Sequence, residues 1–138
     1  MAKKMTIGLS SSCVDKLTSA GVIISGAAAE DMTIEIFVLV NAGYAFIKEN
    51  AENNDNVSEL PHLKEKFFES LKSLNVPTWI DFFKRAKEFT EVKVYVCSLA
   101  GKLWGGEKTA DFIDLVDDIC GIGEYIDSAQ NADLHIFI

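Results

Sequence analysis

Short apolar runs of the kind that form β-strands alternate with longer helix-forming segments along almost the whole chain. Residues 5–10, 33–40 and 92–97 carry β-branched and aromatic residues, and shorter runs follow at 120–123 and 133–138. The second half of the 33–40 run is continuously hydrophobic, which is typical of a strand buried on both faces of a parallel sheet. This alternation predicts an α/β protein, a three-layer α/β/α fold with a mainly parallel sheet of about five strands.

The segments between these runs have the spacing and capping residues of helices. Thr78 and Thr109 are expected to cap two of them. A polar stretch, residues 49–61, lacks apolar periodicity and is predicted to be a mobile loop. The helix at 78–89 carries more aromatic rings than one face can bury, so either one ring is exposed or the helix forms a subunit interface. Helices are predicted within residues 11–32, 42–52, 62–74, 78–89, 106–119 and 124–132.

Length and charge limit the classes of protein to which this chain can belong. Its 138 residues form one predicted domain, residues 1–138, with no linker to divide it. The net charge of −8 argues against nucleic acid or an anionic membrane as a partner, because both attract basic surfaces. No apolar run reaches the roughly 18 residues of a membrane span, and no signal peptide is evident, so the prediction is a cytoplasmic protein.

The cysteine and histidine content argues against a disulfide framework and against a metal site. Cys13, Cys97 and Cys120 are odd in number and widely spaced, so they are expected to be free thiols in a reducing compartment. With only two histidines and no CxxC motif, no metal is predicted. Cys120 is interpreted as a core residue, and His135, inside an apolar run, as a structural histidine.

Polar and nucleophilic residues follow three of the predicted strands. In an open parallel sheet, ligands bind beyond the carboxyl ends of the strands. If the first and third strands are close in the sheet, hydroxyl groups and two thiols share one rim. The candidate residues are Ser10, Ser11, Ser12 and Cys13 after the first strand, Asn41 after the second, and Cys97 and Ser98 at the end of the third.

Cys97 is open to two interpretations. Backbone amides of a following turn or helix, together with Lys102, would favour its thiolate form, which could attack a sulfur donor. Alternatively, Cys97 is a small hydrophobic residue that completes a buried strand, since free cysteine is among the most buried residue types. The physical pattern alone favours the second interpretation, because a strand-end position is not diagnostic.

Common nucleotide-binding and acyl-transfer motifs are absent from the sequence. The serines after the first strand lack the glycines and lysine of a P-loop, and no GxGxxG follows a strand. No GxSxG is present to anchor a serine nucleophile. No organic cofactor is therefore predicted.

The chain resembles the DsrE/DsrF-like family of small α/β sulfur-relay proteins over nearly its whole length. The resemblance lies in "KKMTIGLSSSCVDKL", "GAAAEDMTIEIFVLV", "FFKRAKEFTEVKVYVCSLAGKLWG" and "GIGEYIDSAQNADLHIFI". It implies a parallel-sheet fold, a cytoplasmic location and a homo-oligomer, often a trimer or hexamer. It also implies that Cys97 accepts sulfur as a persulfide and passes it to a partner protein. Nearer-looking relatives have a methionine-rich stretch after this cysteine, where this chain has "SLAGKLWGG" with Trp104, a residue that would cover the thiol or simply pack.

The resulting prediction is a sulfur-relay protein, a persulfide carrier or sulfurtransferase-like subunit with Cys97 as nucleophile. Ser10, Ser11 and Ser12 would donate hydrogen bonds, and Cys13 would be a second thiol. Its partners would be sulfur donor and acceptor proteins. The first alternative is a non-catalytic oligomeric subunit or small-ligand-binding protein with structural thiols. The second is a redox sensor that uses Cys13 and Cys97, which requires Cα atoms no more than about 7 Å apart.

Overall fold

The computed structural model describes residues 2–138 and contains one five-stranded sheet. All strands are parallel, in the order β4-β3-β2-β1-β5, which confirms the predicted α/β fold with five strands. The strands are β1 (Lys4–Leu9), β2 (Thr33–Val38), β3 (Val92–Cys97), β4 (Asp118–Cys120) and β5 (Leu134–Phe137).

Within the described residues 2–138, seven α-helices connect or flank these strands. Thr78 caps one of them as predicted, since its hydroxyl oxygen accepts a hydrogen bond from the Asp81 amide at 3.2 Å. Two short 3₁₀ turns, Pro61–Leu63 and Thr109–Asp111, complete the regular structure of residues 2–138. The helices are α1 (Val14–Ala29), α2 (Ala42–Phe46), α3 (Lys48–Ala51), α4 (Lys64–Ser73), α5 (Trp79–Phe89), α6 (Ser98–Leu103) and α7 (Ile122–Gln130).

One face of the sheet is purely aliphatic and lies beneath α1 and α5. Residues paired in parallel strands point to the same side, and rows such as Ile7, Ile36 and Val94 are fully buried. The two helices pack closely against each other at Gly21, where a Cβ atom would lie 2.8 Å from the Cβ of Phe82. Burial of this face supplies most of the hydrophobic core.

The opposite face is polar and aromatic, and α7 covers part of it. Gly8, Phe37 and Tyr95 form one row across this face, and Thr6, Glu35 and Lys93 form the next row on the same face. The ring of Tyr125 from α7 packs on Phe37, with centroids 5.3 Å apart. Both faces therefore carry helices, as a three-layer arrangement requires.

The prediction of a helix at residues 106–119 is wrong. Its apolar residues are spaced as in a helix, but they are buried from an irregular segment: Phe112, Leu115 and Val116 are all buried. The Asp111 carboxylate accepts hydrogen bonds from the Glu107 and Lys108 amides and closes a single turn. The fourth strand ends at Cys120, so the prediction of a strand at 120–123 is wrong for residues 122–123, which belong to α7.

The predicted helix at 42–52 and the predicted loop at 49–61 also differ from the structure. The helix divides at Ile47, which is extended and bridges to Phe112. The loop begins inside α3 and is then tied to the start of α1. Asn54 donates from its amide side chain to the Ser12 carbonyl at 2.7 Å, and the Val14 amide donates to the Asn56 carbonyl at 2.7 Å.

The rings of α5 are divided between core and surface. Trp79 and Phe83 are buried and contact Phe46, whereas Phe89 is exposed. Phe89 is therefore the one exposed aromatic ring that the first alternative expects, and a subunit interface formed by this helix stays a prediction.

Candidate functional site

The candidate site lies at the carboxyl end of β3, where the chain turns from strand to helix at Cys97. Cys97 has extended backbone angles (φ −62°, ψ 134°) and is the residue before α6. It is a free thiol with 9% of its surface exposed. Cys97 is thus nearly buried, but it lies at the sheet edge where parallel α/β proteins bind ligands.

Two glycines allow the helix after Cys97 to pack tightly. A Cβ atom on Gly43 of α2 would lie 2.6 Å from the Ala100 carbonyl oxygen of α6. A Cβ atom on Gly101 would lie 2.5 Å from the Gly106 carbonyl oxygen. Because no side chain fits at either position, α6 is held close to α2 and the direction of the chain after Cys97 is determined.

The neighbour of Cys97 in the sheet is Cys120, at the end of β4. The two residues are paired in the parallel register, so their side chains lie on the same face. Burial raises the pKa of the Cys120 thiol to about 12, and the negative charges of Glu124, of a Cys97 thiolate and of Asp118 add to this effect. Cys120 is therefore a protonated thiol beside Cys97. It was predicted to be core, and it is buried, but the sequence did not indicate its neighbour.

Cys13 lies in a different part of the rim. It follows β1 and precedes α1, is partly exposed, and its amide donates to the Ser11 hydroxyl oxygen at 3.1 Å. Because β2 separates β1 from β3, those two strands are about 9–10 Å apart. Cys120, rather than Cys13, is the sheet neighbour of Cys97.

The three serines are occupied by contacts near β1 and β5. The Ser10 amide and hydroxyl both donate to the Ile138 carbonyl, at 2.7 and 3.3 Å. The Ser11 hydroxyl accepts from Cys13, and the Ser12 carbonyl accepts from Asn54. These hydrogen bonds join the end of β1 to the C-terminal strand and to the 52–60 segment, and none of them involves Cys97.

The other candidate residues surround the β2 and β3 ends without an observed bond to the thiol. Asn41 is exposed and immediately precedes α2, and Ser98 is exposed at the first position of α6. Lys102 is also exposed and lies in the last turn of α6. Trp104 packs on Tyr44 with ring centroids 5.3 Å apart, and its indole N–H donates to the Val40 carbonyl at 3.1 Å.

A polar network on the α7 face was not anticipated from the sequence. The Ser128 hydroxyl donates to the Glu35 carboxylate at 2.7 Å, and Lys4 pairs with the same oxygen at 2.5 Å. Partial burial acts to raise the pKa of Glu35, but the hydrogen bonds from Lys4 and Ser128 and the charge of Lys4 outweigh it and hold the pKa below its usual value. The sequence signals for this face are the alternation of Thr33 and Glu35 with isoleucines in β2 and of Lys93 and Tyr95 with valines in β3.

A cleft of about 360 Å³ opens beside this network. The cleft lies on the same face of the sheet as Cys97 and Cys120. Its lining residue Tyr95 is two residues before Cys97 in β3, and the charge of its lining residue Glu124 contributes to the raised pKa of Cys120. Its lining residues are Glu35, Phe37, Tyr95, Gly123, Glu124 and Asp127.

Residues 2–138 contain no group of three or more Cys, His, Asp or Glu side chains arranged to hold a metal ion. None of the helices in that range combines the length and apolar character needed to cross a bilayer.

Comparison with known proteins found no matching family model and no matching curated protein.

Proposed function

We propose that this chain is a sulfur-relay protein that carries sulfane sulfur as a persulfide on Cys97. The observation that carries the proposal is the position of Cys97 at the carboxyl end of β3, as a free thiol at the strand-to-helix junction. The resemblance to DsrE/DsrF-like proteins assigns sulfur transfer to the same cysteine. This activity is sulfurtransferase-like and needs no metal or organic cofactor.

The proposed transfer balances with thiol chemistry alone. The Cys97 thiolate attacks the outer sulfur of a donor persulfide, the donor S–S bond breaks, and the donor leaves as a thiolate. The new Cys97 persulfide then loses its outer sulfur to an acceptor thiolate by the same step. Donor and acceptor are expected to be proteins, and a reducing, cytoplasmic location suits three free thiols.

Exposed apolar side chains support a homo-oligomer, which we propose to be a trimer or hexamer. Leu99 and Leu103 lie four residues apart on α6, and Ile122 and Ile126 lie four residues apart on α7. Each of these side chains exposes at least half of its surface: 57% and 52% for the two leucines, and 54% and 50% for the two isoleucines. Side chains at this spacing form one stripe on a helix, and such stripes are typical of subunit interfaces.

Sulfur loading tests the proposed function directly. The protein is incubated with thiosulfate or a low-molecular-weight persulfide, and its intact mass is measured. We expect the wild type and Cys13→Ser to gain the mass of sulfur, and Cys97→Ser to gain none. Absence of added sulfur on the wild type, or equal loading of Cys97→Ser, would contradict the proposal.

The alternative function, an oligomeric subunit or small-ligand binder with structural thiols, is favoured by the 9% exposure of Cys97. Under this alternative, Cys97 resists alkylation in the folded protein and reacts only after unfolding. The alkylation rate of Cys97 in the native and the urea-unfolded protein distinguishes the two functions.

A further inference from the structure

Cys97 and Cys120 lie opposite each other in β3 and β4, and sulfur carriage on Cys97 alone does not require this pairing. Both residues end their strands and both are free thiols on the same face of the sheet. Adjacent strands lie about 4.7–4.9 Å apart, and disulfides form between residues whose Cα atoms are about 4.4–6.8 Å apart. The strand spacing therefore falls within the range that a disulfide needs.

The position of the pair also permits the small movements that bond formation requires. β4 has only three residues and lies at the edge of the sheet, bonded to β3 alone. Short edge elements open at a lower free energy than central strands do. Cys120 can therefore adjust toward Cys97 without disturbing β1 and β2.

We infer that Cys97 and Cys120 form a dithiol–disulfide couple whose oxidant is a low-molecular-weight disulfide of the glutathione class. The Cys97 thiolate attacks one sulfur of this disulfide, whose S–S bond breaks, and one thiolate leaves. Cys120 then gives up its proton to solvent and attacks the Cys97 sulfur, and the second small thiolate leaves. The two cysteines lose two electrons, which the small disulfide gains as it becomes two thiols.

The roles of the two thiols differ in this couple. Cys97 makes the first attack and Cys120 resolves the mixed disulfide; Cys97 is slightly the more exposed of the two, at 9% against 6%. The raised pKa of Cys120 keeps this second step slow at neutral pH, because the thiolate is the attacking form. The inference does not depend on sulfur carriage, since a disulfide can form whether or not Cys97 ever holds a persulfide.

The test exposes the full chain to glutathione disulfide at several ratios to reduced glutathione, with intact mass and peptide mapping as readouts. In the wild type we expect the mass to fall by two hydrogen atoms and a Cys97–Cys120 peptide to appear. In Cys120→Ser we expect one glutathione to remain on Cys97, because the resolving thiol is gone. Cys13→Ser is the matched control and should close the disulfide as the wild type does. Circular dichroism establishes that each variant is folded.

Three results would overturn the inference. The first is a folded wild type that keeps glutathione on Cys97 as stably as Cys120→Ser does. The second is a disulfide that maps to Cys13. The third is a wild type in which neither Cys97 nor Cys120 reacts at any ratio. The first two results leave sulfur loading of Cys97 untouched, so this inference can fail while the proposed function stands. The third result is compared with the sulfur-loading experiment, because a Cys97 that is inert in both experiments would contradict both proposals.

Discussion

Asp117 and Val94 are joined by two hydrogen bonds that hold β4 in register against β3. The Asp117 amide donates to the Val94 carbonyl at 2.8 Å, and the Asp117 carboxylate accepts from the Val94 amide at 2.8 Å. Lys87 of α5 donates to the same carboxylate oxygen at 2.6 Å. Because β4 begins at the next residue, this contact determines which residue of β4 lies opposite Cys97.

Replacement of Asp117 by alanine should loosen the β4 edge. The Val94 amide would lose its acceptor, and we expect the free energy of unfolding to fall by about 1–3 kcal/mol, as measured by urea denaturation. Disulfide formation between Cys97 and Cys120 should also become less complete. Asp114→Ala is the matched control, because Asp114 is exposed and makes no hydrogen bond observed in residues 2–138. Equal stability of the two variants would contradict the assigned role of Asp117.

The stability of the protein should fall at high pH because of Cys120. Its pKa is about 12 in the folded protein, compared with 9.0 for an ordinary thiol, so between these values the unfolded chain releases a proton that the folded chain retains. Unfolding is then favoured as pH rises through this window, by at most about 1.4 kcal/mol per pH unit, and the effect fades as pH falls below 9. Urea midpoints of the wild type and Cys120→Ser between pH 8 and pH 11 measure it. Parallel pH profiles for the two proteins would count against it.

Neutralising Glu124 should speed closure of the Cys97–Cys120 disulfide. Glu124 contributes to the raised pKa of Cys120 through its charge, and its carboxylate also accepts from the Gly121 amide at 3.0 Å. Glutamine keeps an acceptor for that amide but removes the charge, so Glu124→Gln should lower the Cys120 pKa. The rate of loss of the mixed glutathione adduct checks this expectation at pH 8. Asp127→Asn, one turn further along α7, should leave the rate unchanged, and a matching acceleration in that control would refute the role of Glu124.

The absence of a side chain at Gly43 should be needed for the observed position of α6 after Cys97. A methyl group at Gly43 would meet the Ala100 carbonyl oxygen at 2.6 Å, so Gly43→Ala should cost about 1–3 kcal/mol of stability and displace α6. Gly26→Ala is the control within a helix. Apart from its chain neighbours and the backbone of its own helix, no atom lies within 4 Å of the added Cβ, and we expect stabilisation by about 0.5–1 kcal/mol through helix propensity. Thermal denaturation distinguishes the two signs, and a neutral Gly43→Ala variant would exclude the tight contact.

The fold could be predicted from local patterns because most strands and helices here are locally consistent. The β-branched runs of β1, β2 and β3 became strands, and the Thr78 cap forms as expected. The segment at 106–119 failed because its apolar residues are spaced as in a helix but are buried from an extended path toward β4. Apolar residues at this spacing can be buried from a helix or from an extended segment, and the surface against which they pack decides which of the two forms.

Local patterns in the sequence predict parallel strands, with Cys13 after the first strand, Cys97 at the end of the third and Cys120 at the start of a short fourth run. That Cys120, and not Cys13, is the sheet neighbour of Cys97 is evident only from the strand order of the folded protein. Strand order depends on which surfaces the crossover helices bury. That choice is made by contacts between residues far apart in the chain, and local hydrophobic periodicity carries no record of it.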